Sequence, residues 1–229
     1  MSATVENLFV GSLAPLGPRQ VASGIDKKPV QGYQRITKVG LANDQQGDTR
    51  HHGGPEKALH HYPADHYAAW ASEGIVADVP GFGENITSSG LREENICIGD
   101  VFRLGTALLQ ISQGRQPCWR LNAHFERSDM AFRVQKTGRT GWYYRVLEEG
   151  VAQAGDTLIL QERPQPDWVL ARIIDLFYTR TLDFEALEKL SQLPELALSW
   201  RELAARRIAS RKVEDWSTRL QDAAIAPYR

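Results

Sequence analysis

Short apolar runs broken by glycine dominate the chain before Pro164. Runs of this kind occupy residues 3–12, 35–42, 96–105 and 106–112. The break at Gly105 between two of them predicts a β-hairpin. One helix is expected over 64–73, where Pro63 is followed by helix-forming residues. Many short strands with scattered helices predict a mainly β, barrel-like domain rather than alternating βαβ units.

The composition changes at residues 164–166, Pro-Gln-Pro, and the chain after them has the apolar periodicity of helices. Asp167 is the expected N-cap of the first helix. A second helix is expected to start near Asp183, and Ser199 with Glu202 has the spacing of a capping box for a third. Three helices of this size are too small for a robust core of their own. We therefore expect a small C-terminal three-helix bundle that packs on the barrel.

The predicted organisation has three parts. An N-terminal strand and loop (1–27) pack on the barrel, the main β domain covers 28–164, and the three-helix region with its tail covers 165–229. A net charge of -1 gives no reason to expect nucleic acid or an anionic membrane as a partner. The sequence has neither a recognisable signal peptide nor an apolar run of the roughly 18 residues that a membrane span needs. We expect a cytoplasmic protein with reduced thiols.

One cysteine lies among cationic side chains in the stretch Gly-Arg-Gln-Pro-Cys-Trp-Arg, residues 114–120. Gly114 and Pro117 predict that a strand ends here and that Cys118 lies on a turn or at the entry to a helix. The cationic neighbours Arg115 and Arg120 favour a thiolate, which is a nucleophile or a soft metal ligand. For an isolated cysteine, burial as a structural thiol is the better interpretation. Cys97 lies within an apolar run and is expected to be packed.

A loop rich in glycine and histidine precedes the first predicted helix. It reads Gly-Asp-Thr-Arg-His-His-Gly-Gly-Pro-Glu-Lys over residues 47–57. The paired glycines let the backbone approach a ligand closely, and Arg50, His52 and Lys57 are candidates to meet an anion there. The loop lacks the Gly-Lys-Ser/Thr sequence of a P-loop. A solvated turn with exposed histidines is the alternative interpretation.

A third candidate segment is Gly-Phe-Gly-Glu-Asn at residues 81–85. Two glycines around an aromatic residue, followed by the amide of Asn85, form a pattern that can hold a flat heterocycle by hydrogen bonds. A tight turn between strands is the simpler interpretation of the segment by itself.

Two hydrolase hypotheses follow from the histidines and the thiol. A zinc enzyme needs several His, Cys or carboxylate ligands, and His52, His60 and His66 are candidates, although no His-Glu-x-x-His pattern is present. A thiol protease would use Cys118 as nucleophile and a distant histidine as base. No family-specific sequence around Cys118 supports the second hypothesis.

Several ordered motifs together resemble the MOSC domain, the C-terminal domain of molybdenum cofactor sulfurases. They are His-Gly-Gly-Pro-Glu-Lys-Ala-Leu-His at 52–60, Phe-Gly-Glu-Asn at 82–85, Gly-Asp at 99–100 and Pro-Cys at 117–118. The chain is most similar to the stand-alone bacterial YiiM type, in which three helices follow the MOSC domain. The resemblance runs from about residue 28 to about residue 210.

The resemblance implies a β-barrel-like MOSC fold that binds the molybdenum cofactor, a pterin whose dithiolene holds molybdenum and which carries a phosphate. It implies that Cys118 is the thiolate ligand of molybdenum and the catalytic residue. Further residues are expected to bind the cofactor, either because the resemblance implies it or because of their charge and their position near the motifs. They are His52, Gly53, Gly54, Lys57, His60, Asn85 and Arg115.

Proteins of this type are associated with the reduction of N-hydroxylated bases such as 6-hydroxylaminopurine to amines, independently of pyridoxal phosphate. The implied substrate is a small N-hydroxylated molecule, and His52, His60 and Asp48 are candidate proton donors. The sequence has no flavin motif or iron–sulfur cysteine set, so an external flavoprotein is the expected electron donor. A homodimer is one possible assembly. The alternative function is that of a non-catalytic carrier holding the cofactor or sulfur on Cys118.

Overall fold

The computed structural model describes residues 1–47 and 53–221. The strands in this part of the chain are β1 (Ser2–Gly11), β2 (Ala14–Leu16), β3 (Val21–Ser23), β4 (Lys27–Pro29), β5 (Gln34–Thr37), β6 (Gly40–Leu41), β7 (Leu59–Pro63), β8 (Ile86–Ser88), β9 (Val101–Leu104), β10 (Ala107–Gly114), β11 (Trp142–Glu148), β12 (Gly150–Ala152) and β13 (Thr157–Glu162). The helices are α1 (Asp65–Ser72), α2 (Arg120–His124), α3 (Met130–Thr137), α4 (Leu170–Tyr178), α5 (Phe184–Ser191), α6 (Leu198–Ser210) and α7 (Ser217–Leu220), with a 3-10 turn at Pro55–Lys57.

The main sheet closes into a barrel because the long strand β1 pairs with three partners in succession. Its first residues pair with β13, its middle with β8 and its last with β4. The sheet order β13-β9-β10-β11-β7-β8-β1 therefore returns to β13, and β4 extends the sheet beyond the closed ring. All of these pairs are antiparallel except β7 with β8. The predicted barrel-like fold is confirmed.

Several local predictions agree with these elements. β9 and β10 form the expected hairpin, in which Gly105 has a positive φ of 55°. Helix α1 lies within the range predicted from Pro63. The N-terminal strand predicted over 3–12 is β1 and is an integral part of the sheet. The division of the chain at 27/28 and 164/165 stays a prediction.

The C-terminal helices share the core of the barrel. One continuous apolar cluster contains Phe102 and Leu109 from the barrel together with Phe177 and Trp200 from α4 and α6. The close approach depends on Gly114 at the end of β10, where a Cβ atom would lie 3.1 Å from the side chains of both Ile174 and Trp200. The predicted small helical bundle packed on the barrel is confirmed.

Two of the predicted helix starts are wrong. Helix α4 begins at Leu170, not after Asp167, because its first amides bond to carbonyls of the loop between β8 and β9, with Leu170 N donating to Ile96 O at 2.9 Å. Helix α6 has Ala197 as its N-cap, so Ser199 lies inside the helix and forms no capping box. Asp183 is the N-cap of α5 as predicted, and its carboxylate accepts from Ala186 N at 3.0 Å.

None of the helices in the described part of the chain is both long enough and apolar enough to cross a bilayer.

Candidate functional site

A cavity lies where four loops meet at one side of the barrel. These loops follow β3, β6 and β10 and precede β8. The lining residues are Ser23, Gly24, Ile25, Lys27, Asp44, Gln45, Gln46, Gly47, Lys57, His60, Phe82, Gly83, Asn85, Arg115, Cys118, Arg120 and Tyr143. All three segments singled out in the sequence contribute to this one cavity, although they are far apart along the chain.

Cys118 lies in the loop between β10 and α2, as the glycine and proline around it predict. Its thiol group forms no disulfide, and the residue is 7% exposed. The carbonyl of Cys118 accepts a hydrogen bond from Leu121 N at 3.0 Å, which starts the turn into α2. The sulfur is thus presented to the cavity from a helix entry, not from a strand.

In the described ranges, four cationic side chains line the same cavity: Lys27, Lys57, Arg115 and Arg120. Arg115 is 7% exposed, and among the described residues its Nη1 atom has no hydrogen-bond partner. A buried guanidinium donor without a partner is costly, because its lost hydration is not replaced. A polar or anionic ligand in the cavity would supply the missing acceptor.

Another cation of the cavity lining, Lys27, is paired with a buried carboxylate. Lys27 Nζ contacts Asp44 Oδ1, and the two side chains are 5% and 1% exposed. Burial lowers the pKa of Lys27, while the neighbouring Asp44 acts in the other direction. Asp44 also accepts from Gly11 N at 2.7 Å and from Asn85 Nδ2 at 2.9 Å. This part of the cavity lining is held together by its own hydrogen bonds.

Two adjacent histidines of β7 point to opposite faces of the strand. His60 lines the cavity, and its Nε2 lies 3.4 Å from Thr140 O. Burial, reinforced by the charge of Arg115, lowers the pKa of His60 well below its usual value. His61 instead faces the barrel, where its ring nitrogens contact Tyr144 Oη at 3.1 Å and Ser88 Oγ at 3.0 Å. Burial lowers the pKa of His61 to about 3.

Comparison with known proteins identifies the family. Residues 48–159 match the MOSC domain, and residues 168–211 match the YiiM-like 3-alpha helix domain. Protein YiiM of Escherichia coli (strain K12) is 39% identical over 207 residues, covering 89% of this chain and 92% of that protein. This chain belongs to the YiiM-type MOSC family. The resemblance found in the sequence motifs is confirmed.

A solved structure and a fungal relative extend the comparison. The crystal structure of YiiM from Escherichia coli superposes with a TM-score of 0.81 at 34% identity, covering 96% of this chain and 99% of that one. A protein of Gibberella moniliformis named Reductase is 36% identical over 180 residues, which are 76% of this chain and 32% of that protein. MOSC domains are associated in general with molybdenum cofactor binding.

Among the cofactor-binding residues predicted for this MOSC protein, Lys57, His60, Asn85, Arg115 and Cys118 come together in the cavity. Gly53 and Gly54 are described but are not among the lining residues. Gly54 has a φ of +92° and precedes the 3-10 turn that carries Lys57. His52 lies outside the described residues, as do Asp48 and Arg50, so their predicted roles stay predictions.

The amide group of Asn85 is already engaged within the protein. Its Nδ2 donates to Phe9 O at 3.1 Å and to Asp44 Oδ2 at 2.9 Å, and its Oδ1 accepts from His60 N at 3.1 Å. Both amide hydrogens are therefore donated inside the protein. The geometry favours a role in joining β1, β7 and the Asp44 loop, and Asn85 keeps only acceptor capacity toward a ligand.

The loop around Asn85 adds an aromatic wall and a buried acid. Phe82 stacks on Tyr62 with ring centroids 4.1 Å apart, and Gly83 adopts a φ of +74° that favours glycine. Glu84 points away from the cavity lining and accepts from Phe82 N at 2.9 Å and from the Tyr67 hydroxyl. Burial raises the pKa of the Glu84 carboxyl.

The structure gives little support to the hydrolase hypotheses. Within 1–47 and 53–221, no three His, Cys, Asp or Glu side chains come together as a candidate metal site. His66 contacts Glu93 Oε2 at 2.7 Å and is buried away from the cavity lining. His60 shares the cavity with Cys118, but its Nε2 contacts the Thr140 carbonyl at 3.4 Å.

The sequence patterns did not indicate Lys27, Asp44 and Tyr143 as cavity residues. Lys27 stands in a run of charged residues that is typical of a solvated surface, and Asp44 stands in a polar loop. The pairing of β4 with β1 brings Lys27 to the site, and the hydrogen bond from Gly11 N holds Asp44 there. The orientation of Tyr143 could have been predicted, because alternation along β11 places it on the face opposite Trp142 and Tyr144.

Proposed function

We propose that this MOSC protein binds the molybdenum cofactor in the cavity through Cys118 and reduces N-hydroxylated bases, such as 6-hydroxylaminopurine, to amines. The observation that carries the proposal is the placement of Cys118 beside Arg115, a buried cation whose Nη1 has no partner among the described residues. A soft sulfur ligand next to an unsatisfied donor suits a group that combines a soft metal with anionic oxygen atoms.

The donor set of the cavity fits this cofactor. A cysteine thiolate is a ligand of the soft kind, and Cys118 is the one cysteine in the cavity lining. Arg115, Lys57 and Arg120 provide positive charge for a phosphate and for the sulfur-rich metal group. Bound there, the cofactor would supply a redox centre that exchanges two electrons with the substrate.

The overall reaction consumes one N–O bond. An N-hydroxylated base, two electrons and two protons give the amine and one water molecule. The chain's own residues would orient the base, exclude bulk water and deliver protons. Burial lowers the pKa of His60, so the imidazole is neutral at neutral pH, and its Nε2 faces the Thr140 carbonyl.

An oxidoreductase role is also supported by the relatives. The fungal relative is named Reductase, and this chain covers 32% of its length. In this proposal a separate flavoprotein supplies electrons to the present chain, as the absence of a flavin motif in its sequence implies.

Turnover tests the proposal directly. Protein produced in a host that makes molybdenum cofactor would be assayed with 6-hydroxylaminopurine and an artificial electron donor. We expect repeated turnover to the amine by the parent protein and by Cys97→Ser. The turnover rate of Cys118→Ser should be at least about 100-fold lower, because a metal ligand is removed. Cys97 is a matched control, since its thiol is buried beside Pro166 O at 3.6 Å and outside the cavity.

A carrier function predicts a different outcome. A non-catalytic carrier of the cofactor or of sulfur would retain its cargo on Cys118 and show no turnover with any N-hydroxylated substrate. Bound molybdenum without amine formation, under conditions where a second molybdenum reductase is active, would therefore replace the reductase proposal by the carrier.

A further inference from the structure

The backbone on both sides of Cys118 is bonded to a single residue near the end of the described chain. Arg219, in α7, donates from Nη1 to Pro117 O, the carbonyl of the peptide group that precedes Cys118. The amide of Trp119, in the peptide group that follows Cys118, donates to Arg219 O at 2.8 Å. One residue thus holds both peptide groups that flank the candidate ligand.

Neighbouring contacts reinforce this attachment. Arg219 Nη2 donates to Gln135 Oε1 of α3 at 2.5 Å, which fixes the guanidinium in place. The side chain of Asn122, in α2, donates to Leu220 O at 2.8 Å and accepts from Ala131 N at 2.7 Å. The short helix α7 is therefore tied to α2 and α3, the two helices that follow the Cys118 loop.

A second contact comes from the first C-terminal helix. The hydroxyl of Tyr178, at the end of α4, donates to Arg115 O at 2.7 Å. The Arg219 guanidinium lies 5.8 Å from the centre of the Tyr178 ring. Tyr178 and Arg219 therefore hold the loop at two points, on the carbonyls of Arg115 and Pro117.

The Cys118 loop needs such external bonds because residues 115–118 belong to no helix or strand. A loop without its own ladder of hydrogen bonds keeps one conformation only if surrounding groups satisfy its backbone. A metal ligand or catalytic group must be held to within a fraction of an ångström, and hydrogen bonds from the residues around it provide that rigidity. The C-terminal segment supplies these contacts here.

We propose that Arg219 is a positioning residue that fixes the orientation of the Cys118 sulfur, with Tyr178 as its auxiliary. The role of this positioning in molybdenum binding rests on the proposed function, whereas the restraint on the loop does not. Arg219 lies beyond both matched family regions, which end at residues 159 and 211. The C-terminal segment is thus part of the site and not only a separate packing unit.

The rate at which Cys118 reacts with iodoacetamide tests the proposal on protein without cofactor. All variants would carry Cys97→Ser, so that one thiol is followed, and rates would be measured up to the pH at which the thiol is fully ionised. Arg219→Met removes the hydrogen-bond donors but keeps the apolar part of the side chain. Because the loop loses a charged hydrogen bond, the limiting labelling rate of Cys118 is expected to rise on the order of tenfold. Tyr178→Phe is expected to give a smaller increase in the same direction.

Two further variants separate positioning from general packing. Arg219→Lys restores a charged donor and is expected to return the rate to within about threefold of the parent. Arg180→Met is the control for packing. Arg180 lies 4.7 Å from the Trp216 ring in the same region and has no contact with the Cys118 loop among the described residues. The variant is therefore expected to label at the parent rate. Hydrogen exchange of the Trp119 amide should rise in Arg219→Met alone.

The proposal fails if Arg219→Met and Tyr178→Phe label at the parent rate, or if Arg180→Met accelerates labelling as much as Arg219→Met. It also fails if the labelling rate of Cys118 rises in every variant in proportion to a fall in its melting temperature. None of these readouts needs molybdenum or turnover. A protein that lacks the proposed activity can therefore still show the restraint, and a protein without the restraint can still bind molybdenum.

Discussion

Two groups of residues that line the cavity are built differently. In one group, which we call the Asp44 wall (Lys27, Asp44 and Asn85), the polar groups bond mainly to one another and to the backbone of β1. In the other group, the Cys118 wall (Arg115, Cys118 and Arg120), Arg115 keeps a buried Nη1 donor that meets no acceptor among the described residues.

This difference separates the residues that build the site from those that serve a ligand. Satisfied buried networks give rigidity, and removing one member leaves the others uncompensated. An unsatisfied buried donor destabilises the fold and persists where a ligand completes it. Substitutions in the Asp44 wall should therefore affect stability, and substitutions in the Cys118 wall should affect binding.

The largest effect is expected from Asp44→Ala. The substitution leaves Lys27 buried without its partner, and breaking a buried ion pair costs about 3–5 kcal/mol of unfolding free energy. Denaturant unfolding measures the loss. Asp26→Ala is the control, because Asp26 and Lys28 form an exposed pair at 2.8 Å, which is expected to contribute less than about 1 kcal/mol. Equal losses in the two variants would contradict the structural role of the Asp44 wall.

Arg115→Met should show the opposite pattern. It removes a cation whose desolvation is only partly repaid, so the unfolding free energy should change by less than about 1 kcal/mol. Retention of molybdenum and pterin during dialysis should fall 10- to 100-fold, because charged hydrogen bonds to the ligand are lost. The exposed Arg172, which lies 4.6 Å from the Trp168 ring, gives the control Arg172→Met. Stability loss without loss of cofactor would reverse the assignment of the two walls.

The pH dependence of stability sharpens the comparison on strand β7. His61 has a pKa of about 3 in the folded protein against an ordinary value of 6.5, so the unfolded chain takes up the proton first as the pH falls. The contribution of neutral His61 to the unfolding free energy is present above about pH 6.5 and is lost between that value and about pH 3. By about pH 5 the loss from His61 is about 2 kcal/mol.

The variant His61→Gln isolates this contribution. Its stability should fall less than that of the parent between about pH 7 and about pH 5, by about 2 kcal/mol. His60, whose pKa is also lowered by burial, contributes in the same direction and is unchanged in both proteins. Parallel stability curves for parent and variant would show that His61 is not buried in its neutral form.

Patterns within short stretches predicted much of the fold. The hairpin at Gly105, the helix after Pro63 and the position of Cys118 at a helix entry depend on residues close in sequence. The closure of the barrel by β1 depends on pairings with β8 and β13, which no local pattern specifies. The predicted N-termini of α4 and α6 were wrong because backbone carbonyls elsewhere in the fold bond to the chain where these helices begin. Ile96 O accepts from Leu170 N, and Ser112 O accepts from the amide of the N-cap residue Ala197.

The site was predictable only in part, for a related reason. The motifs around Lys57, Asn85 and Cys118 identified segments that do meet in the cavity. The ion pair of Lys27 with Asp44 and the attachment of the Cys118 loop to Arg219 join residues 17 and 102 positions apart in the sequence. Such contacts are determined by tertiary packing, and single residues in polar runs give no sign of them.

The most direct test of this account is the molybdenum and pterin content of protein purified from a host that makes molybdenum cofactor, compared with Cys118→Ala. We expect near-stoichiometric molybdenum and pterin in the parent and loss of molybdenum in the variant, with the same melting temperature for the two cofactor-free proteins. A parent protein without molybdenum or pterin, or a variant that retains the parent's molybdenum, would contradict Cys118 as the ligand in this cavity.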